Sequence, residues 1–97
     1  MHKIGSYSFD GPYDVEKSNF NNVKGIYVIY ASNIWLDVGE TDNLGERIPN
    51  HERKNCWKSH ANNEIVYLLF LAVSDYDQRL EIESALRERL KPACGDR

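Results

Sequence analysis

Glu83 is the first residue whose type and place ask for a chemical explanation. Counted at about 100° per residue, Tyr76, Leu80, Leu86 and Leu90 fall on one stripe of a helix, and Glu83 falls inside that stripe. A carboxylate on a core-facing stripe is costly unless it is ion-paired, hydrogen-bonded or bound to a metal. Arg79 and Arg87 on the same helix offer the simplest solution, a rim ion pair. Arg47 and His51 stand four apart and so share one side of another helical segment. Leu44 and Ile48 adjoin that side and must face the core. Arg47 therefore sits at the edge of the buried face, although an exposed Arg–His pair is the commoner arrangement. Tyr27 lies in an apolar run, where a core aromatic is the commoner role. His51, Cys56 and His60 are spaced five and four apart, and Cys94 could join them in a zinc site. No CxxC pair accompanies them, so zinc is disfavoured. Cys56–Trp57 reads as a small buried anchor, and Cys94 as the packed end of the last helix.

The elements that must position these residues follow from the hydrophobic pattern. Residues 23–30 (VKGIYVIY) are β-branched and aromatic with both alternating sets apolar, which predicts a strand covered on both faces. A short turn leads to a second strand over 34–38 (IWLDV), making a hairpin in which Trp35 and Asp37 point one way and Ile34, Leu36 and Val38 the other. Thr41 or Asp42 can cap the next helix, which must kink or stop near Ile48 because Pro49 cannot donate an i→i−4 bond. Residues 52–63 read as a polar loop or short helix. The third strand is 65–73. Ser74 then resembles the cap of a helix that Pro92 and Gly95 end. Residues 1–22 mix Gly, Ser, Asp, Pro and Tyr without a period and read as an irregular N-terminal arm, so that 23–97 is the single domain. The fold class is α+β, a small three-stranded antiparallel sheet flanked by helices in the order β-β-α-β-α.

Composition narrows the function classes. Twelve Lys and Arg against 15 Asp and Glu give a net charge of −3, and 41% of residues are apolar. Those values suit one folded domain rather than a disordered or coat-like basic chain. The longest mostly apolar run, Ile65 to Val73, is far short of the roughly 20 residues a membrane span needs. No apolar leader precedes Asp14, so the cytoplasm is the expected compartment, with both cysteines free thiols. Charge is uneven, however: Arg47, Arg53, Lys54 and Lys58 lie within 14 residues beside His51 and His60 and oppose one acid, Glu52. Such a local basic patch can meet a phosphate backbone.

Taken together, these residues resemble the GIY-YIG nuclease superfamily. Its first signature reads here as Gly25-Ile26-Tyr27, and its second, Tyr-Ile-Gly, as Asp37-Val38-Gly39. Thr41, Asn43-Leu44, Arg47 and His51 follow at the family's places, and Glu83 precedes Pro92 at the expected distance, with Gly95 where the family has Asn. The resemblance implies a divalent-metal-dependent endonuclease hydrolysing phosphodiester bonds in DNA, with one Mg²⁺ or Mn²⁺. It assigns Glu83 to the metal, Tyr27 to activating or positioning the attacking water, Arg47 to the scissile phosphate and His51 to proton transfer. Arg53, Lys54 and Lys58 join Arg47 as DNA contacts. Asp37 in place of the second Tyr could act as a base, join Glu83 on the metal, or mark a site that has lost turnover. The last case leaves a nucleic-acid-binding or interaction module. A homodimer is one way for so small a nuclease to cut both strands.

Overall fold

The structure is a computed structural model, and it describes residues 2–95; residues 1, 96 and 97 lie outside the described residues. The strands are β1 (His2–Ile4), β2 (Tyr7–Asp14), β3 (Gly25–Ala31), β4 (Ile34–Thr41) and β5 (Tyr67–Ala72). The helices are α1 (Leu44–Arg47), α2 (Lys54–Ala61) and α3 (Tyr76–Leu90). The strands form one five-stranded sheet in the order β1-β2-β5-β3-β4, and each neighbouring pair is antiparallel.

This corrects the expected three-stranded sheet and its β-β-α-β-α order. The region read as an irregular arm supplies two strands, and two helices rather than one separate β4 from β5. The arm hid its strands because Gly11-Pro12 falls at the register shift between Asp10 and Tyr13. There a residue without an N–H and one at φ 118° are accommodated without a regular ladder. Phe9, just before this irregularity, is wholly buried and packs with Ile4, Ile26, Val28, Val38, Leu69 and Leu86.

β3 lies between β5 and β4, and its two faces carry two cores. Ile26 and Val28 face Leu86 of α3 and the N-terminal hairpin. Tyr27, Ile29 and Ala31 face Leu44, Ile48, Trp57 and Ala61 of the α1–α2 region. The expectation of a strand apolar on both sides holds for this reason. Two glycines let neighbours close on β3. A Cβ on Gly25 would lie 2.0 Å from the Leu71 carbonyl oxygen, and one on Gly39 would lie 2.2 Å from the Tyr27 ring and hydroxyl.

β4 departs from simple alternation. A register shift places Ile29 opposite Asp37 and Tyr30 opposite Trp35, with Leu36 the extra residue. Leu36 and Asp37 consequently both meet the α2 side, while Trp35 packs with the other core. The expected pairing of Trp35 and Asp37 on one face is thus broken by a bulge. The free edge of β4 is partly covered by the segment after α3, whose Ala93 and Cys94 N–H groups donate to the carbonyls of Trp35 and Leu36 at 3.0 and 2.7 Å.

Helix starts also differ from the expected caps. Asn43, not Thr41 or Asp42, caps α1, its side chain accepting from the Glu46 N–H. Asp75, not Ser74, caps α3 by accepting from the Gln78 N–H. The inward stripe of α3 is Arg79, Ile82, Glu83, Leu86 and Leu90, while Tyr76 and Leu80 are 55% and 38% exposed. Arg79 is drawn inward because it donates to Glu40 at 2.9 Å and to the carbonyls of Val73 and Ser74 at 3.3 and 2.8 Å. That arrangement rotates the helix away from the phase its leucines suggest.

If residues 7–14 are part of the folded sheet, Phe9→Ala should lower the unfolding free energy by about 3–5 kcal/mol. Chemical denaturation followed by circular dichroism measures this; a change below about 1 kcal/mol would return residues 1–22 to the status of a loose arm.

Candidate functional site

β4 carries Asp37 at the bulge, and everything polar in this region is arranged around it. Its carboxylate is fully buried. Oδ1 accepts from the Val38 N–H and Arg87 Nη2, both at 2.9 Å, and from Arg53 Nη2 at 3.3 Å. Oδ2 accepts from Arg53 Nε at 2.8 Å and from the Trp57 indole N–H at 2.9 Å. Gly95 completes the enclosure. Its carbonyl accepts from Arg87 Nη1, and a Cβ there would press on Arg87, Asp37 and Arg53 at 2.6–2.9 Å. Any side chain at this position would have to displace these groups. Asp37 is therefore an anchor joining β4, α2, α3 and the C-terminal segment. Its oxygens are engaged by N–H donors from Val38, Arg53, Trp57 and Arg87.

Tyr27 and His51 form the second part. Tyr27 is 1% exposed, and its hydroxyl lies 2.6 Å from His51 Nε2. The backbone N–H of Arg53 donates to His51 Nδ1 at 3.1 Å. A neutral imidazole accepting at Nδ1 carries its proton on Nε2, so His51 donates to the Tyr27 oxygen. Burial, reinforced by the nearby Arg47 charge, pushes the His51 pKa down to about 4. Asp37 Oδ2 lies 3.9 Å from Nε2, near enough to favour protonation but outweighed by those effects. Burial raises the Tyr27 phenol to about 12, against the opposing pull of Arg47 and Arg53. At neutral pH the pair is thus a phenol and a neutral imidazole.

Arg47 closes the group toward solvent. It binds Glu52 through two parallel bonds, Nη1 to Oε1 at 2.6 Å and Nη2 to Oε2 at 2.9 Å. This fork-to-carboxylate geometry is the one a guanidinium offers to phosphate oxygens. The hydrogen bond from Arg47 brings Glu52 down to about 2. Arg47 also lines an open polar groove of ≈ 490 Å³ with Thr41, Asp42, Asn43, Glu46 and Asn50.

Glu83 reaches this constellation through Arg87, whose Nε is 3.7 Å from Glu83 Oε2. The predicted residues are therefore linked in one polar chain, Glu83–Arg87–Asp37–Arg53, with Tyr27, His51 and Arg47 beside it. The expected DNA-contacting residues separate. Arg53 turns inward to Asp37, whereas exposed Lys58 pairs with Glu16 at 3.3 Å. Four partners were not visible in the sequence: Arg87, Arg53 and the Trp57 indole for Asp37, and Glu52 for Arg47. Arg87 was legible only as a neighbour of Glu83, four residues on.

The cysteines depart most clearly from expectation. Cys56 and Cys94 form a disulfide, with Cα atoms 6.0 Å apart, so neither is a free thiol. The backbone bonds that lay residues 93–94 along β4 bring Cys94 beneath α2. The redox argument from composition could not anticipate that proximity. His60 lies beside the disulfide, whereas His51 is committed to Tyr27 and Arg53, which removes it from the metal-ligand set considered from sequence.

The His51 pKa gives a stability signature. The unfolded chain binds this proton at an ordinary histidine pKa of 6.5, the folded chain only near 4. The stabilisation is fully present above about pH 6.5 and is lost as pH falls toward 4, by at most about 3 kcal/mol. Urea unfolding at stepped pH should show this slope in the parent and a flatter one in His51→Gln; identical slopes would contradict a buried neutral His51.

No family model matches the chain, and no curated protein or solved structure matches it either.

Proposed function

We propose that the protein is a divalent-metal-dependent nuclease of the GIY-YIG kind, acting on phosphodiester bonds in DNA. The observation that carries this reading is the Tyr27–His51 hydrogen bond of 2.6 Å set beside the two-pronged Arg47. The resemblance assigned those three residues to one reaction while they stood 24 positions apart in sequence.

In this reading Arg47 is the phosphate-holding group. A phosphodiester entering the groove exchanges with Glu52, an exposed carboxylate that already occupies the guanidinium fork. Tyr27 enters as a phenol, since its pKa near 12 keeps it protonated at neutral pH. Its hydroxyl proton is not shared with His51, because His51 is the donor in their contact. Tyr27 can therefore direct that proton toward a water or a phosphate oxygen. As negative charge grows on the phenol oxygen, the His51 N–H and the Arg47 guanidinium stabilise it.

Glu83 fits a hard cation in donor type. One carboxylate with waters and phosphate oxygens is a normal Mg²⁺ shell, and Glu83 lies on the inward stripe of α3. Asp37 does not fit as a co-ligand, because its oxygens are held by arginine, indole and amide N–H groups. Bound there, Mg²⁺ or Mn²⁺ would stabilise charge developing on the leaving oxygen. Among the described residues no helix is long and apolar enough to cross a membrane.

A second reading is favoured by one observation, the occupation of Arg47 by Glu52. It is a module that binds nucleic-acid phosphate without cutting it. Incubation with supercoiled and branched DNA and Mg²⁺ or Mn²⁺ separates the two. The nuclease reading expects metal-dependent cleavage that falls by about 100-fold or more in Glu83→Gln, with unfolding free energy changed by about 1 kcal/mol or less. Undiminished cleavage in Glu83→Gln would remove the metal assignment. Salt-sensitive DNA binding that is lost in Arg47→Ala and yields no product would establish the binding module.

A further inference from the structure

The polar network leaves one chemically reactive cluster unused. Cys56 and His60 are four apart on α2 and therefore share a helix face. His60 Nδ1 lies 3.7 Å from Cys56 Sγ and 3.9 Å from Cys94 Sγ. The candidate ligand atoms of all three residues fall within 4.8 Å of one another. A disulfide has no need of an imidazole against both its sulfurs.

We propose that the Cys56–His60–Cys94 cluster becomes a Zn²⁺-class metal site when its disulfide is reduced. Two thiolates and an imidazole are the ligand set that borderline-soft metals select over Mg²⁺ or Ca²⁺. With metal–sulfur bonds near 2.3 Å and metal–nitrogen bonds near 2.0 Å, tetrahedral geometry places sulfur about 3.5 Å from nitrogen. The two S···N separations already approach that value. Only the sulfurs must part, to about 3.8 Å, and Cys56 stands on the surface of α2, half-buried, where it has room to move. His60 is exposed, so the metal has a path from solvent. No fourth His, Cys, Asp or Glu joins the group among the described residues, so water or an external ligand takes the remaining position.

The chemistry balances with a dithiol reductant. Its thiolate attacks one sulfur and the Cys56–Cys94 bond breaks. Its second thiol then resolves the mixed disulfide, leaving two protein thiols and an oxidised, cyclic reductant. Binding M²⁺ displaces the two thiol protons to solvent. His60 Nδ1 now lies 3.0 Å from the Cys56 carbonyl, to which a protonated Nδ1 donates. On binding, that hydrogen bond is given up and the ring proton resides on Nε2. Either state, disulfide or metal, fastens the C-terminal segment to α2 and so keeps Gly95 against the Asp37–Arg87 pair.

The test titrates Co²⁺ into the full chain, oxidised and reduced by a phosphine, with absorption and far-ultraviolet circular dichroism read together. The expected result is one Co²⁺ per reduced chain, with thiolate charge-transfer absorption and intense tetrahedral d–d bands, and none of these in the oxidised chain. His60→Ala should still form the disulfide but bind Co²⁺ on the order of 100-fold more weakly when reduced. Loss of helix on reduction that Co²⁺ restores supports the site equally. A reduced chain without charge-transfer bands, whether folded or not, overturns the proposal, as does undiminished Co²⁺ affinity in His60→Ala.

Discussion

A fully buried carboxylate, Asp37, is the constraint around which this molecule is assembled. Five N–H contacts from β4, α2 and α3 converge on its two oxygens. Burying a carboxylate alone is prohibitive, and a pair of charges in a dry interior roughly breaks even against its own desolvation. The anchor's effect is therefore more on uniqueness than on net stability. Few placements of α2, α3 and the C-terminal segment satisfy all those donors, so removing the acceptor leaves Arg53 and Arg87 without their shared counter-charge. The bulge in β4 makes this possible, because it turns Asp37 toward Trp57 instead of leaving it on the face that carries Trp35.

The electrostatics beside the anchor follow from it. Arg53 is held inward by Asp37, and its backbone N–H then faces His51 Nδ1. That contact fixes the imidazole tautomer, which directs the Nε2 proton to Tyr27. The same packing excludes water, so His51 stays neutral and Tyr27 stays a phenol. Arg47 contributes positive charge at the solvent side and is balanced by Glu52. A change in how Asp37 is held would reach Tyr27 through only two residues. This gives a physical reason for an aspartate at this place that does not require it to touch a substrate.

How much of this was readable from sequence depended on the length scale of the cause. β3, β5 and α3 were legible because their patterns are local and strong, and the stop after Ile48 was set by Pro49. Glu83 was correctly placed on an inward stripe, although the stripe itself was rotated, since a buried Arg79 was not expected to outrank Tyr76 and Leu80. The N-terminal strands were hidden by Gly11-Pro12, and the facing of Asp37 by a bulge that no local pattern announces. Long-range partners were the least visible. The Asp37–Arg87 and Cys56–Cys94 contacts span 50 and 38 positions and exist only because the sheet brings their elements together.

Five of the expected site residues fall into two groups. Tyr27, His51 and Arg47 make a compact group, which in the proposed reading meets a phosphate, and Asp37 and Arg53 hold that group in place. The unfolding free energy of Asp37→Ala tests this division most directly. An anchor predicts a loss of about 3–5 kcal/mol, the cost of leaving buried guanidinium and indole donors unsatisfied. A loss below about 1 kcal/mol would show that the elements assemble without the carboxylate and would contradict the account.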